Sequence, residues 1–290
     1  MAKELNFKQE LTACFGFPVS ENPTQAMMEP AYVALSLDWR YLTLEVPPAS
    51  LSAAVAGARA FGFQGFNCTI PHKIAVIEHL DGLGESASLM GAVNCVVNRD
   101  GQFIGENTDG KGFVSSLKEV TDPTGKTVVI FGAGGASRAI SVELALAGAT
   151  EITIVNRDPD RGQTLVDLLN SKVNEVAGGG LSAKFVQWDG DYQIPSDSQI
   201  VINATSIGLF PDIDARLALD ISTLSSEMIV ADVIPNPPRT NLVKDATAAD
   251  CKVIDGLEML VAQGVIGIEY WTGKSPDAKI MRQALEDVFG

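Results

Sequence analysis

A glycine-rich turn at residues 132–137 has the residue types and spacing needed to bind the pyrophosphate of a dinucleotide. Thr127–Phe131 is an apolar, β-branched run that predicts a strand buried on both faces. The apolar pattern of residues 136–147 then predicts a helix that ends at Gly148. Glycines let the backbone approach a pyrophosphate, and the helix N-terminus offers N–H groups to it. The residues expected to bind the cofactor at this turn are Gly132, Gly134, Gly135, Ala136 and Ser137.

The end of the next predicted strand, Glu151–Val155, indicates which dinucleotide binds. An NAD site usually has Asp or Glu about 20 residues past the glycines, where it holds the ribose 2′-hydroxyl. Here Asn156 takes that place, and Arg157 and Arg161 follow. Two guanidinium groups suit a 2′-phosphate, so we predict NADP bound by these three residues. Asp158 leaves NAD possible, and solvated surface charges are the alternative reading of both arginines.

Polar side chains also occur where the predicted strands of the first half end. The three segments are Asn67-Cys-Thr-Ile-Pro-His-Lys73, Gly91-Ala-Val-Asn94 and Gly105-Glu-Asn-Thr-Asp-Gly-Lys-Gly112. Polar groups at strand ends that face a cleft are where α/β proteins place their chemistry. Each residue also has a structural interpretation taken singly. Asn67 and Asn94 can satisfy loop backbone, Asp109 can cap the following helix, and Lys73 can be a surface charge.

In this order and spacing, the polar segments and the glycine turn resemble the shikimate dehydrogenase family. Further matches are Ile202–Leu209, Ala231–Val233 with Asn236, Pro237 and Thr240, and Val253–Gln263, so the resemblance covers nearly the whole chain. It implies NADPH-dependent reduction of 3-dehydroshikimate to shikimate, a step of aromatic amino acid biosynthesis through chorismate. Relatives also oxidise quinate with NAD.

The resemblance also implies the architecture that positions these residues. We expect an α/β protein with an N-terminal α/β substrate domain and a Rossmann-type, doubly wound nucleotide-binding domain. C-terminal helices should return to the first domain. The predicted limits are 1–109 with 256–290 for the substrate domain and 110–255 for the NADP domain.

The family pattern assigns roles to the matched positions. Hydride transfer to a ring ketone requires a proton donor near the oxygen. Lys73 matches the catalytic lysine that polarises and protonates this oxygen, and Asp109 matches the aspartate that orients the lysine. Substrate contacts are expected from the matched residues Asn67, Thr69, Asn94 and Gln263. Asn22 and Thr24, in a loop that does not match the family, are also expected to contact the substrate. Further cofactor contacts are expected from Asn203, Ala204, Thr205, Ser206, Gly256 and Met259, although Met259 is equally suited to a core.

Two positions on the substrate side depart from the family. Its usual His-Ser-x-Ser-Pro run, in which the serines bind the substrate carboxylate, is replaced by residues 21–25, Glu-Asn-Pro-Thr-Gln. Glu21 adds a negative charge there, Asn22 offers an amide, and Thr24 keeps a hydroxyl. Pro235 stands where the family commonly has a tyrosine. We therefore expect the ketone/alcohol chemistry with a weakened carboxylate grip. The alternatives are quinate or another cyclic hydroxy acid as substrate, or a nucleotide-binding paralogue with little turnover.

Composition limits the remaining possibilities. The chain has 290 residues, 46% of them hydrophobic, and a net charge of −15, which argues against nucleic acid and anionic membranes as partners. Four dispersed cysteines and two histidines make a metal site improbable and favour reduced thiols. The N-terminus shows no signal-peptide pattern. We predict a cytoplasmic protein, either a monomer or a homodimer, with a small cyclic hydroxy acid as its partner.

Overall fold

The computed structural model describes residues 7–289 and divides into two compact units. The first unit contains the chain up to Thr108 together with Gly264–Val288, and the second contains Asp109–Gln263. The limits predicted from the sequence, at 109/110 and 255/256, stay a prediction. Among the described residues, no helix combines the length and apolarity needed to cross a membrane.

The first unit is built on a six-stranded mixed sheet. Its elements are β1 (Glu10–Gly16), α1 (Thr24–Ala34), β2 (Trp39–Glu45), α2 (Leu51–Ala60), β3 (Gly65–Cys68), α3 (His72–Ala75), β4 (Gly82–Leu83), α4 (Glu85–Met90), β5 (Cys95–Arg99) and β6 (Gln102–Glu106). The sheet order is β2-β1-β3-β5-β6-β4. The β5–β6 pair is a hairpin, with Asp100 and Gly101 at positive φ as its turn requires.

The two faces of this sheet differ in chemistry. On one face, Phe15 stacks on Phe66 and Phe103 meets Phe66 edge-on, within an apolar core that includes residues of α2. On the other face, the strand register sets Cys14, Asn67 and Cys95 side by side on β1, β3 and β5. Cross-strand neighbours on one face lie close together. The register therefore places the predicted substrate residue Asn67 between two buried thiols.

The second unit is a fully parallel sheet of six strands. Its elements are α5 (Thr108–Lys118, whose first residue still belongs to the first unit), β7 (Thr127–Phe131), α6 (Gly135–Leu146), β8 (Glu151–Asn156), α7 (Pro159–Leu168), α8 (Asn174–Val176), β9 (Ser182–Gln187), β10 (Ile200–Asn203), β11 (Ile229–Asp232), α9 (Asn241–Ala248), β12 (Lys252–Ile254) and α10 (Gly256–Thr272). In the strand order β12-β11-β10-β7-β8-β9, the chain builds outward from β7 to β9 and then crosses back to add β10 on the other side of β7, as in a Rossmann sheet. The predicted doubly wound fold is confirmed.

The C-terminal segment contributes to the first unit. The second half of α10 and the helix α11 (Ala278–Phe289) belong there up to residue 288. Trp271 of α10 donates its indole N–H to the carbonyl of Val96 at 2.9 Å. Met281 of α11 is fully buried. The hydrogen bond to Val96 ties α10 to the middle of the sheet, on the face that holds Asn67.

We expect Gly65→Ala to destabilise the first unit by about 2–4 kcal/mol, because its methyl group has no room. An added Cβ would overlap both Trp271 Nε1 and the Val96 carbonyl oxygen, the two atoms of that hydrogen bond. The urea midpoint of unfolding measures the effect. Gly57→Ala in α2 is the matched control, since the nearest atom lies 3.9 Å from its added Cβ. Alanine there should be neutral or stabilising. Equal midpoints for the two variants would refute the packing argument.

Candidate active site

A groove of about 420 Å³ lies in the second unit where β7, β8 and β10 end. Eight of the residues predicted to bind the cofactor line it, namely Gly132, Gly134, Asn156, Arg157, Arg161, Ala204, Thr205 and Ser206. Ligands of open α/β sheets bind at the carboxyl ends of the strands, beside the point where the strand order reverses. The groove therefore occupies the expected position for a dinucleotide.

The glycine turn has the geometry of a phosphate site. Gly132 has a φ of +104°, and a Cβ there would lie 2.9 Å from the Ala204 carbonyl oxygen, so only glycine fits. The Ser137 hydroxyl closes the turn by donating to the Gly132 carbonyl at 2.7 Å. A Cβ on Gly134 or Gly135 would meet no atom within 4 Å. The start of α6 is thus open around these glycines, and the dipole of a helix favours an anion at its N-terminus.

Two arginines at the β8 end have different surroundings. The Arg157 guanidinium lies 5.2 Å from the centroid of the Trp188 indole. The Arg161 Nε lies 3.7 Å from an Asp158 carboxylate oxygen, and both of those side chains are more than half exposed. Asp158 also caps α7 by accepting the Arg161 backbone N–H at 3.1 Å. Asp158 is therefore a helix cap, and Asn156 leaves the usual ribose carboxylate position uncharged, which favours a 2′-phosphate.

Asn203 holds the loop after β10 that lines one side of the groove. It is fully buried, and its side-chain oxygen accepts two hydrogen bonds from Thr205. The Thr205 backbone N–H donates at 3.0 Å and the Thr205 hydroxyl at 2.7 Å. The Thr205 hydroxyl in turn accepts the Ile207 N–H at 3.0 Å. The structure places Ala204, Thr205 and Ser206 at the groove surface. Asn203 fixes their loop and does not line the groove.

A buried carboxylate supports Asn203. The Asn203 amide donates to both oxygens of Asp232, at 3.1 and 3.2 Å. Asp232 also accepts the Thr240 hydroxyl at 2.7 Å and the Ile234 N–H at 3.1 Å. Burial raises the pKa of Asp232, and these hydrogen bonds oppose the rise. The shape of the cofactor loop therefore depends on a carboxylate that does not touch the groove.

The predicted substrate residues of the first unit form a connected hydrogen-bond network. Asn67 accepts the Tyr41 hydroxyl at 2.7 Å and donates to the Asn94 carbonyl at 3.1 Å. The Asn94 side chain accepts the Thr108 N–H at 2.6 Å and donates to the Thr108 hydroxyl at 3.0 Å. An amide has two donors and two lone pairs, so Asn67 keeps capacity for a second hydrogen bond at each end. The half-buried Thr69 accepts from the His72 N–H at 2.8 Å through its carbonyl.

Lys73 lies beside this network, on the short helix α3. Burial raises the pKa of the Cys14 thiol to about 12, and the Lys73 ammonium opposes that rise, as a nearby cation must. The Lys73 carbonyl accepts the Val93 N–H at 2.7 Å. Since the next residue, Asn94, binds Thr108, the backbone of Lys73 is linked to the residue that precedes Asp109. Lys73 belongs to the first unit and Asp109 to the second, and their contact stays a prediction.

Sequence comparison places this arrangement among known proteins. Family models match residues 14–96 (shikimate dehydrogenase substrate binding domain), 115–179 (shikimate/quinate 5-dehydrogenase) and 256–286 (shikimate 5′-dehydrogenase C-terminal domain). The shikimate dehydrogenase (NADP(+)) of Methanopyrus kandleri is 41% identical over 274 residues, which are 93% of this chain and 92% of that protein. The chain belongs to the shikimate dehydrogenase family.

Two solved structures show how closely the family fold is kept. The ligand-free 5-ketofructose reductase of Gluconobacter sp. strain CHM43 superposes with a TM-score of 0.93 at 51% identity, over 98% of this chain and 100% of that one. Shikimate 5-dehydrogenase from Thermus thermophilus, in complex with NADP(H) and shikimate, superposes with a TM-score of 0.81 at 31% identity, over 96% and 99%. Relatives of this fold thus include a protein named for a sugar ketone.

The loop that departs from the family pattern is ordered by its own hydrogen bonds. The Asn22 side-chain oxygen accepts the Thr24 N–H at 3.0 Å, and the Asn22 N–H donates to the Val19 carbonyl at 3.0 Å. Thr24 begins α1 and is only 5% exposed, whereas Glu21 is exposed. The loop therefore presents an acidic side chain to solvent, and the Asn22 oxygen is already engaged by the backbone.

Three predicted site residues belong to the first half of α10. Gly256 packs so closely on the Ile234 carbonyl that a Cβ would overlap it. Met259 is half-buried, and neither residue is among those that line the groove. Gln263 is 7% exposed, donates to the Leu260 carbonyl at 3.1 Å, and packs its backbone against Gly112 of α5. Their ligand contacts stay predictions.

Three residues that support the site were given no role from the sequence. Asp232 ends a buried strand, and a charged residue at the end of an apolar run was a readable signal. Tyr41 binds Asn67, and Trp188 lies under Arg157. Neither aromatic residue stood out, because the partner of each is far away in the sequence.

Proposed function

We propose that this chain is an NADP-dependent oxidoreductase that interconverts 3-dehydroshikimate and shikimate. The groove with its two guanidinium groups supports NADP as the cofactor. The hydrogen-bond network of Asn67, Asn94 and Thr108 beside Lys73 is the observation that supports a polyhydroxylated substrate. Curated relatives at 35–41% identity bear the name shikimate dehydrogenase (NADP(+)). We also infer a cytoplasmic enzyme, since its cysteines form no disulfide among the described residues.

The proposed roles follow the charge that develops in the reaction. Bound NADPH supplies the hydride to the ketone carbon. Lys73 holds its ammonium at the ketone oxygen, stabilises the negative charge that forms there, and donates the proton. Asp109 orients that ammonium. Asn67 and Asn94 are held by Tyr41 and Thr108, so they can bind substrate hydroxyls without first losing rotamer freedom.

A second candidate substrate is an uncharged polyhydroxylated ketone such as 5-ketofructose. The substrate loop favours it, because the exposed Glu21 would repel a ring carboxylate. Pro235 supplies no hydroxyl. The Gluconobacter protein named 5-ketofructose reductase is 51% identical, above the 41% of the Methanopyrus kandleri protein. Quinate and other cyclic hydroxy acids use the same ketone/alcohol chemistry and are the remaining candidate substrates.

A steady-state panel decides among these substrates. The assay compares kcat/KM for shikimate and quinate with NADP, and for 3-dehydroshikimate and 5-ketofructose with NADPH. Turnover of shikimate supports the first candidate. Turnover of the sugar ketone with kcat/KM at least tenfold above that of the ring acids would assign the second. Failure of every polyhydroxylated ketone and alcohol would reject the oxidoreductase proposal.

The charge of Glu21 gives an independent prediction. We expect Glu21→Gln to raise kcat/KM for shikimate by about 2–10-fold and to leave that for an uncharged ketone unchanged, since a rim charge acts only on a charged ligand. The gain should shrink in 0.5 M NaCl because salt screens exposed charges. Glu85→Gln, elsewhere in the first unit, is the control. Equal responses to both ligands would mean that Glu21 does not face the bound substrate.

A further inference from the structure

Trp188 directly follows β9 and lies at the edge of the cofactor groove. Its side chain is held on two sides. The indole N–H donates to the Ala218 carbonyl at 2.9 Å, and the ring packs on Phe131 with the two centroids 5.1 Å apart. Only 7% of the residue is exposed. The indole is therefore a rigid wall with a fixed orientation.

The Arg157 guanidinium lies over this wall, 5.2 Å from the ring centroid. Two hydrogen bonds hold Arg157 and Trp188 close together. The Trp188 backbone N–H donates to the Asn156 carbonyl at 2.9 Å, and the Gln187 side-chain amide donates to the Arg157 carbonyl at 2.7 Å. Asn156 and Gln187 are also register partners on β8 and β9. The sheet thus brings the arginine and the indole together at one strand end.

We infer that Trp188 is a positioning residue for cofactor selectivity: its indole holds Arg157 ready for the 2′-phosphate of NADP. This inference rests on the proposed role of Arg157 in binding that phosphate. An arginine has many rotamers, and one that is already ordered against an aromatic face loses less freedom when it binds. Arg161 has no comparable support, since it is 74% exposed and its near partner is the carboxylate of Asp158.

The experiment measures dissociation constants of NADP and NAD by calorimetry, which needs no substrate. We expect Trp188→Leu to weaken NADP about tenfold and NAD less than twofold. Trp188→Phe keeps an aromatic face and should lose no more than about threefold for NADP. In an Arg157→Ala background, Trp188→Leu should change the ratio of the two constants no further.

Different outcomes would reject the role inferred for Trp188 and the role proposed for Arg157. Equal weakening of NADP and NAD by Trp188→Leu, or an equal change of the ratio with and without Arg157, would make Trp188 a core residue only and overturn the inference. An unchanged ratio in Arg157→Ala alone would instead reject the proposed role of Arg157, and the inference with it. If Trp188→Leu does not fold by circular dichroism, Trp188→Met in the same two backgrounds gives the same comparison.

Discussion

Replacing Lys73 with methionine is expected to lower kcat by about 10³-fold, the range of a lost general acid, while the dissociation constant of NADP changes less than about twofold. Methionine keeps the length of the side chain but has neither the charge nor a proton to donate. The Lys73 ammonium lowers the pKa of the Cys14 thiol in the first unit, against the rise that burial causes, and the cofactor groove belongs to the second unit. Steady-state kinetics and calorimetry measure the two quantities.

Lys279→Met is the matched control, because Lys279 is exposed on α11 in the first unit. Its kcat should equal that of the unchanged protein. Retained turnover in Lys73→Met would exclude Lys73 as the proton donor. If instead the unchanged protein and Lys73→Met both bind ligand but show little turnover, the nucleotide-binding paralogue becomes the better description.

The same variant tests the predicted contact with Asp109. Two residues that act as one unit lose activity non-additively, so Lys73→Met combined with Asp109→Asn should be little worse than the more severe single variant. Additive losses would place the two side chains in independent roles. This double-mutant cycle reports on the pair without a bound ligand in a structure.

Removing both arginines at the end of β8 is expected to raise the KM for NADP by about 100-fold and that for NAD by less than about threefold. Only NADP has the 2′-phosphate that the guanidinium groups are proposed to bind. The variant is Arg157→Ala with Arg161→Ala, assayed with each cofactor at saturating substrate. Of the two single variants, Arg157→Ala should raise the KM for NADP more than Arg161→Ala, because Arg161 is close to the Asp158 carboxylate.

Arg216→Ala controls for the loss of an exposed positive charge. Arg216 pairs with Asp245 at 2.7 Å and does not line the cofactor groove. Its removal should leave both KM values unchanged, since exposed ion pairs contribute little. Equal increases for NADP and NAD in the double variant would show that the arginines serve another part of the dinucleotide.

Support of the cofactor loop by Asp232 has a consequence for both cofactors. Asp232 holds Asn203, and Asn203 holds Thr205, so a defect at Asp232 reaches the groove without removing a ligand contact. An amide at position 232 would turn donors toward Asn203 and Thr240, which already donate. Such a change affects loop shape for NADP and NAD alike, unlike a change at Arg157.

The sequence by itself determined the local parts of the nucleotide site. The predicted strand Thr127–Phe131 has the same bounds as β7, and the glycines and small residue after it form the turn and start of α6. These features are local: a buried strand, a positive φ and a helix start each need only neighbouring residues. The same holds for the arginines that follow β8 and for the motif order that indicated the family.

Only the tertiary structure decided which side chains support one another. Tyr41 and Asn67, and Asn203 and Asp232, each meet across a sheet. Strand register fixes such pairs, and register depends on the packing of the whole sheet, which no local pattern encodes. Trp188 therefore emerged as a supporting residue only from the fold, because the side chain it holds, that of Arg157, lies about 30 residues away along the chain.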